Sequence, residues 1–507
     1  MFSSIKRLTQ HSLVYGLGHV LARSLGFLLI PLHTNVLASD LYGMASLLFS
    51  SMAVMTILYG FGLDSAFLRY YILARTPADK RRIFATAFWS ITLVAAFLSL
   101  AAWAGARPIA EWLFERPGYS HLVRLAAASL FCDALAFLPL LLLRAEERSV
   151  PFIAQRFANV ALSFLLNYIF LINLGRGLAG IFEANLIAAL LSCALVLPLT
   201  LRHLMPALDR STLITLLRFG LPFLPSTLAV VAIDQLDRFL LRLLTDLQTV
   251  GIYSAGYRLG LLMSLLVTAF RFAWVPFFMN TAEDAGAKAV FARVLTYFMF
   301  VCAVIFLAMS LFLDEIVRLR LGSFHLFGEA YWSGMFIVPI VMLAYWLYGV
   351  AQNFLAGITL QEKTAYFPLI TGASLFVNAG ANLLLIPLFG MAGAAWATVA
   401  AYAVMTLLSY LISQRLYFIA YERMRLAKIV LVTAVLYGVH ALAAPGLWWR
   451  AGLLLLFPLA LAAVGFFEPQ EWRAFKRVVA RRPTARVIEK DKSVAEKINP
   501  QETGGRV

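Results

Sequence analysis

Hydrophobic residues along this chain gather into long runs separated by short polar connections. The runs occupy approximately residues 11–37, 41–63, 83–106, 119–143, 151–174, 177–201, 215–243, 251–278, 288–313, 333–358, 364–388, 391–416, 426–443 and 448–467. Each is close to the roughly 20 residues that an α-helix needs to cross a bilayer core. The pattern predicts an all-α polytopic membrane protein with about fourteen transmembrane helices. An even number of crossings places both termini on one side. Outside the spans there is little except connections and a tail, which leaves no room for a separate soluble catalytic domain.

An internal repeat organises these spans. Asn167 is followed by Gly175 and Gly180, and Asn382 by Gly390 and Gly393, at offsets of 213–215 residues. The connection LASDLYG at Leu37–Gly43 resembles LTDLQTVG at Leu244–Gly251, and the two closing glycines lie 208 residues apart. Nearly equal offsets predict two six-helix lobes, residues 1–205 and 206–418. Six is even, so the lobes keep the same orientation. The two additional helices of 419–467 fall outside the repeat. Residues 468–507 form a basic tail whose first part can lie along an anionic leaflet and whose remainder reads as disordered.

Composition agrees with the pattern. The chain is 62% hydrophobic and 13% charged, against about 25% charged in soluble proteins. Its net charge of +16 suggests nucleic acid only until the charges are placed. The connections and adjoining span ends on the N-terminal side hold 20 Lys and Arg, those on the other side hold 7, and the tail adds 10. The positive-inside rule explains that asymmetry without a nucleic-acid partner and puts both ends in the cytoplasm. Cys132, Cys193 and Cys302 lie in apolar runs with no metal or redox spacing. No signal peptide with a small-residue cleavage site is visible, and the first run is long enough to span.

The informative residues are charges inside the spans, each costing roughly 2.5–3.5 kcal/mol on insertion scales. Asp234, Asp237 and Arg238 share one side of the seventh run, Asp234 and Arg238 being i,i+4. Either the carboxylates neutralise Arg238, the simpler reading, or they couple transport to a cation gradient. The first run carries His19 and Arg23 at i,i+4, with Pro31 set to bend it. Arg23 lies too deep to reach either surface easily and is expected to line a cavity. His19 and His33 are weaker candidates. Arg124 and Asp133 are too far apart in the fourth run to pair with one another. Arg258 and Arg271 complete the basic residues inside spans. The basic stretch Asp64–Arg82 reads as an interfacial anchor. Glu111 and Glu115, the nearest thing to a carboxylate dyad, read as a solvated face.

The pattern P-x-x-P…D-R-F-L-L…L-x-x-V-G-I-Y-S-A-G-Y-R-L at Pro222–Leu259 resembles the seventh and eighth helices of bacterial polysaccharide-biosynthesis flippases. These form the Wzx-type branch of the multidrug/oligosaccharidyl-lipid/polysaccharide exporter superfamily. Gly16–Pro31 with Arg23, D-L-Y-G at Asp40–Gly43 and the Asn382…Gly390–Gly393 turn are similar too. The resemblance covers about residues 10–418. It implies two six-helix lobes around a central cavity, working by alternating access as a transporter of the bacterial inner membrane. Its ligand would be a polyprenyl-diphosphate-linked oligosaccharide, passed from the inner to the outer leaflet for O-antigen, capsule or exopolysaccharide assembly. Membrane lipids and the polysaccharide polymerase and export machinery are the implied partners, with the protein itself a monomer. No cofactor is implied beyond coupling to a proton or sodium gradient.

The residues suit that ligand. Arginine holds phosphate oxygens bidentately, so Arg23, Arg124, Arg258 and Arg271 are the candidates for a cationic cavity. Tyr253, Tyr257, Tyr345 and Trp346 offer faces on which sugars can stack. A drug exporter of the same superfamily, a peptidoglycan lipid-precursor flippase and a membrane enzyme acting on the same lipid remain alternatives. The last has no paired-carboxylate loop or metal-ligand cluster to support it.

Overall fold

The computed structural model describes residues 27–468 apart from 207, 444 and 445. The first predicted span up to residue 26, with His19 and Arg23, lies outside the described residues, as does the tail from residue 469. Among the described residues, twelve helical stretches are long and apolar enough to cross a membrane, and Leu447–Ala463 is a shorter apolar helix.

Residues up to Glu422 form one compact unit and those from Arg423 onward a second. The first unit begins with α1 (Leu29–Val36), α2 (Ser39–Gly60), α3 (Leu63–Leu73), α4 (Pro77–Ala104) and α5 (Ala106–Phe114). It continues with α6 (Ser120–Ala145), α7 (Ser149–Tyr168), α8 (Gly177–His203) and the connecting helix α9 (Arg210–Gly220). The following part contains α10 (Leu224–Leu244), α11 (Leu247–Gly260), α12 (Leu262–Thr281), α13 (Ala287–Leu311) and α14 (Leu313–Arg318). A two-residue hairpin, β1 (Arg320–Leu321) with β2 (Phe324–His325), leads to α15 (Val338–Leu360), α16 (Tyr366–Phe389) and α17 (Met391–Leu416). The second unit is α18 (Arg423–Ala443) and α19 (Leu447–Ala463). Within it Lys428 donates to the Gly465 carbonyl at 2.9 Å.

Polar caps set several helix starts. Thr76 accepts from the Asp79 N–H at 3.1 Å, with Pro77 as the first residue of α4. Asp246 accepts from the Thr249 N–H at 2.7 Å and starts α11. At the head of α9, the hydroxyls of Thr212 and Ser211 and the Thr212 N–H all donate to Asp209. They hold its carboxyl well below the usual carboxylate range.

The uninterrupted run 251–278 is corrected by the structure to two helices, α11 and α12, that meet at Leu261. The break has a packing reason. Gly256 lies against the Gly334 carbonyl and Ile337, and Gly260 against Val341. The small residues of α11 therefore follow neighbouring backbone that a straight continuation into α12 would leave.

The contact between α2 and α11 is too close to admit a side chain at either of its two glycines. A Cβ added at Gly43 would meet the Leu247 carbonyl, and one added at Gly251 would meet the Ser39 carbonyl. Leu247 and Ser39 each stand four residues before the opposite glycine. The contact is therefore reciprocal, as at a local two-fold axis, and it joins the two stretches singled out by the sequence repeat.

Polar groups extend this seam at the same end of the molecule. Asn35 Nδ2 donates to the His325 carbonyl at 2.7 Å, and the Gly328 N–H donates to Thr34 Oγ1 at 3.1 Å. The Tyr331 hydroxyl donates to the Leu37 carbonyl at 2.8 Å. Arg242 pairs with Glu115 at 2.6 Å and Arg116 with Asp40 at 3.1 Å. At the opposite end Gly62, with φ of 79°, closes against Gly220 and seats α9 against α3.

Substituting Gly251 by Ala forces its Cβ onto backbone rather than onto a flexible side chain. The expected cost is about 1–3 kcal/mol, as for overpacked sites, visible as a lower unfolding temperature in detergent. Gly438→Ala, where a Cβ has open space, serves as the control. Equal unfolding temperatures for the two variants would refute the tight crossing.

Candidate functional site

The face of α10 that carries Asp234, Asp237 and Arg238 is turned into protein. Asp237 is fully buried and Arg238 is 6% exposed. Arg238 Nη1 donates to Asp237 Oδ1 at 2.9 Å and to the Asp234 main-chain carbonyl at 2.6 Å. Its guanidinium also sits 4.2 Å from the centroid of the Tyr257 ring. The second oxygen of Asp237 accepts from the Tyr253 hydroxyl. A charge pair at this depth is supported by the further hydrogen bonds to the Asp234 carbonyl and from Tyr253.

The i,i+4 pairing expected between Asp234 and Arg238 is corrected by this geometry. Only the backbone of Asp234 serves Arg238. Its carboxylate turns away and accepts from Tyr345 at 2.9 Å and from Tyr402. The physical reason is that two phenol donors from α15 and α17 compete for it, while Asp237 already neutralises the arginine. Tyr257 and Tyr345 share a hydrogen bond of 2.9 Å. The network therefore ties α10, α11, α15 and α17 together. Tyr402 was not a candidate from sequence. Its helix, α17, has no charged residue until Arg415, so nothing marked that side chain.

The other candidates lie apart. Arg258, half-buried on α11, places its guanidinium 5.5 Å from the ring centroid of Tyr42 on α2. No carboxylate pairs with it among the described residues. Nearby, His33 on α1 is buried and hydrogen-bonded to Asn167 on α7 at 3.0 Å. Arg124 is exposed on α6, 5.1 Å from the centroid of the Trp103 ring. Arg271 lines a cavity of about 620 Å³ among α10, α12, α15 and α16, and donates to the Tyr348 hydroxyl at 3.1 Å. Asp133 lines a separate cavity of about 370 Å³ among α2, α6, α7 and α8. The arginines thus do not form one cluster among the described residues.

Two basic residues escaped sequence reasoning. Arg156, near the start of α7, shares the Asp133 cavity. Arg242 is largely buried, and besides Glu115 it donates to the Leu113 carbonyl at 3.3 Å. Both sit near the end of an apolar run, where arginine ordinarily marks topology. Glu111 pairs with Arg107 and Glu115 with Arg242, so each half of the proposed solvated face has its own cation. No group of three or more His, Cys, Asp or Glu is placed to hold a metal among the described residues.

Removing Arg238 alone, as Arg238→Leu, strands the buried Asp237 carboxylate and is expected to cost about 3–5 kcal/mol. The double variant Asp237→Leu/Arg238→Leu removes both charges and is expected to recover much of that loss. Unfolding in detergent measures it. A double variant less stable than Arg238→Leu would show that the pair is not the dominant interaction.

Comparison with known proteins places this architecture. No curated protein matches the sequence. The fold is shared with solved membrane transporters. It is similar to a lipid II flippase, MurJ, in an inward closed conformation, at 14% identity and a TM-score of 0.73. That match covers 92% of this chain and 99% of the other. An inward-facing multidrug resistance transporter of the MATE family matches at 14% identity and a TM-score of 0.65, over 81% of this chain and 95% of the other. The Vibrio cholerae MATE transporter VcmN, as its D35N mutant, matches at 15% identity and 0.53, over 81% and 96%. A family model described as polysaccharide biosynthesis protein matches residues 8–282, which is more than half of the chain, and the protein belongs to that family.

Proposed function

We propose that this protein is a flippase for polyprenyl-diphosphate-linked oligosaccharides, moving them from the inner to the outer leaflet by alternating access. The observation that carries the reading is Arg258. It is a half-buried guanidinium beside Tyr42, where α11 meets α2, and no carboxylate neutralises it among the described residues. An uncompensated cation at membrane depth is costly unless an anion visits it. A diphosphate carries about two charges, and its oxygens suit a guanidinium fork. Membership in a polysaccharide-biosynthesis family supports a sugar-bearing cargo.

The lobes of this reading are residues 1–205 and 206–418, with 419–467 as accessory helices and both termini in the cytoplasm of a bacterial inner membrane. The end sealed by Gly43, Gly251 and the Arg242–Glu115 and Arg116–Asp40 pairs is then the outer one, and the seal must open for release. Energy comes from a proton or sodium gradient. A second reading, transport of a peptidoglycan lipid precursor, is favoured by the extent of the structural match to a lipid II flippase. A cation-coupled drug exporter is the third.

Flipping of a fluorescent polyprenyl-diphosphate sugar in proteoliposomes tests the assignment. Arg258→Ala is expected to lower the rate at least tenfold, with Arg258→Lys intermediate. Unchanged rates in both variants would refute the anion site. A wild type that flips only a peptidoglycan precursor would favour the second reading, and one that moves only cationic drugs the third.

The seal gives a separate test. Cysteines in place of Glu115 and Arg242, joined by a short bifunctional thiol reagent, are expected to stop flipping, and reduction to restore it. Full activity of the joined protein would refute opening at that end.

A further inference from the structure

We infer that the cavity inside the first six-helix half is a subsite for the sugar units of the cargo, and this inference rests on the flippase reading above. The cavity, of about 370 Å³, falls within the range of small-molecule sites. Five polar side chains from three helices point to its chemistry: Asp133, Gln155, Arg156, Asn159 and Asn185. It lies deep. Asp133 stands thirteen residues from the start of α6 and twelve from its end, which is about 18–20 Å from either at 1.5 Å per residue.

These groups have hydrogen-bonding capacity to spare. Gln155 is 6% exposed, and its Oε1 is buried without a partner. Asn159 spends both amide hydrogens on the Ala188 carbonyl at 3.0 Å and Ser192 Oγ at 2.7 Å, which leaves its oxygen free. Asn185 and Asp133 make no hydrogen bond among the described residues. Arg156 reaches only the Phe152 ring, 5.7 Å from its centroid, and acts electrostatically on Asp133 without forming an ion pair. In a bilayer such groups are expensive unless water or a polar ligand meets them.

The balance of charge selects the ligand. One carboxylate and one guanidinium cancel, so the cavity attracts neither a diphosphate nor an organic cation. A carboxylate only accepts hydrogen bonds, a guanidinium only donates, and the amides do both. Neighbouring hydroxyls on a sugar ring donate and accept in turn and can meet all three. Tyr59 and Phe137 add apolar faces to the lining, against which a ring's C–H face can rest. A bound metal ion would need more than the single carboxylate present.

Equilibrium binding to the purified full-length protein tests this. The probes are a short fluorescent polyprenyl diphosphate, bare or carrying one of a panel of mono- and disaccharides. Their affinity ratio measures what the sugar adds. The wild type is expected to prefer at least one sugar-bearing probe tenfold or more. Asn185→Leu and Asp133→Asn are expected to bring the ratio near one while bare-carrier affinity stays within twofold. Asn185→Gln should keep part of the preference. Equal weakening of bare and sugar-bearing probes would overturn the subsite as merely structural. So would an unchanged ratio in both variants, or a wild-type ratio of one across the panel. Asp133→Asn that changes only the pH dependence of flipping would also overturn it, in favour of proton coupling. A wild type that keeps the sugar preference but flips no probe would overturn the flippase reading and leave the subsite standing.

Discussion

A guanidinium inside a bilayer protein must carry its solvation with it, and Arg238 shows what that demands. Its charge is met by Asp237, a second hydrogen bond from the same nitrogen by a main-chain carbonyl and its face by Tyr257. Asp237 in turn requires Tyr253. Each partner is specified by the one before, so a single charged residue fixes how α10 meets α11. Asp234 then extends the same demand to α15 and α17 through Tyr345 and Tyr402. The second half of the chain thereby carries a polar network beside its apolar core, which includes Trp274, Phe278 and Phe291. That arrangement gives the helices a unique register, which apolar packing against lipid-like surfaces supplies poorly.

The first half uses a different solution. Its polar side chains are not folded into a closed network but left facing a cavity, with Asp133 and Arg156 near one another but not bonded. A closed network holds helices together, whereas open groups wait for something to fill them. The two parts of the chain therefore differ in what they do with the polar side chains of their helices. The hydrogen-bonded network fixes α10, α11, α15 and α17 to one another, while cavities lie in both parts of the chain, about 620 Å³ beside Arg271 and about 370 Å³ beside Asp133.

Much of this was legible in the sequence because span length and apolarity are imposed by the bilayer itself. Every predicted run from 41–63 onward corresponds to helix, although 251–278 is divided at Leu261 and 215–243 by a short 3₁₀ turn at Leu221–Phe223. The division at Leu261 was hidden because residues on both sides are equally apolar, and only neighbours distant in sequence, the Gly334 carbonyl and the Ile337 and Val341 side chains, crowd Gly256 and Gly260. The charges of α10 were legible as a group, but their partners were not. Tyr345 and Tyr402 stand 111 and 168 residues from Asp234, and a tyrosine in an apolar run carries no mark of the carboxylate it will meet. Arg156 was concealed by its position near a span end, where basic residues are commonplace. The repeat was visible as spacing, while the meeting of Gly43 with Gly251 is a property of three dimensions.

That meeting limits how the chain can change. At Gly43 and Gly251 the opposing atoms belong to the main chain of Leu247 and Ser39. A bulkier residue at either glycine cannot be accommodated by trimming a side chain across the seam, because there is none to trim. Second-site suppressors of such a lesion would have to arise elsewhere, in residues that set the crossing of the two helices. The two positions therefore cannot drift as a compensating pair. They stay glycine together, or the seam is rebuilt as a whole.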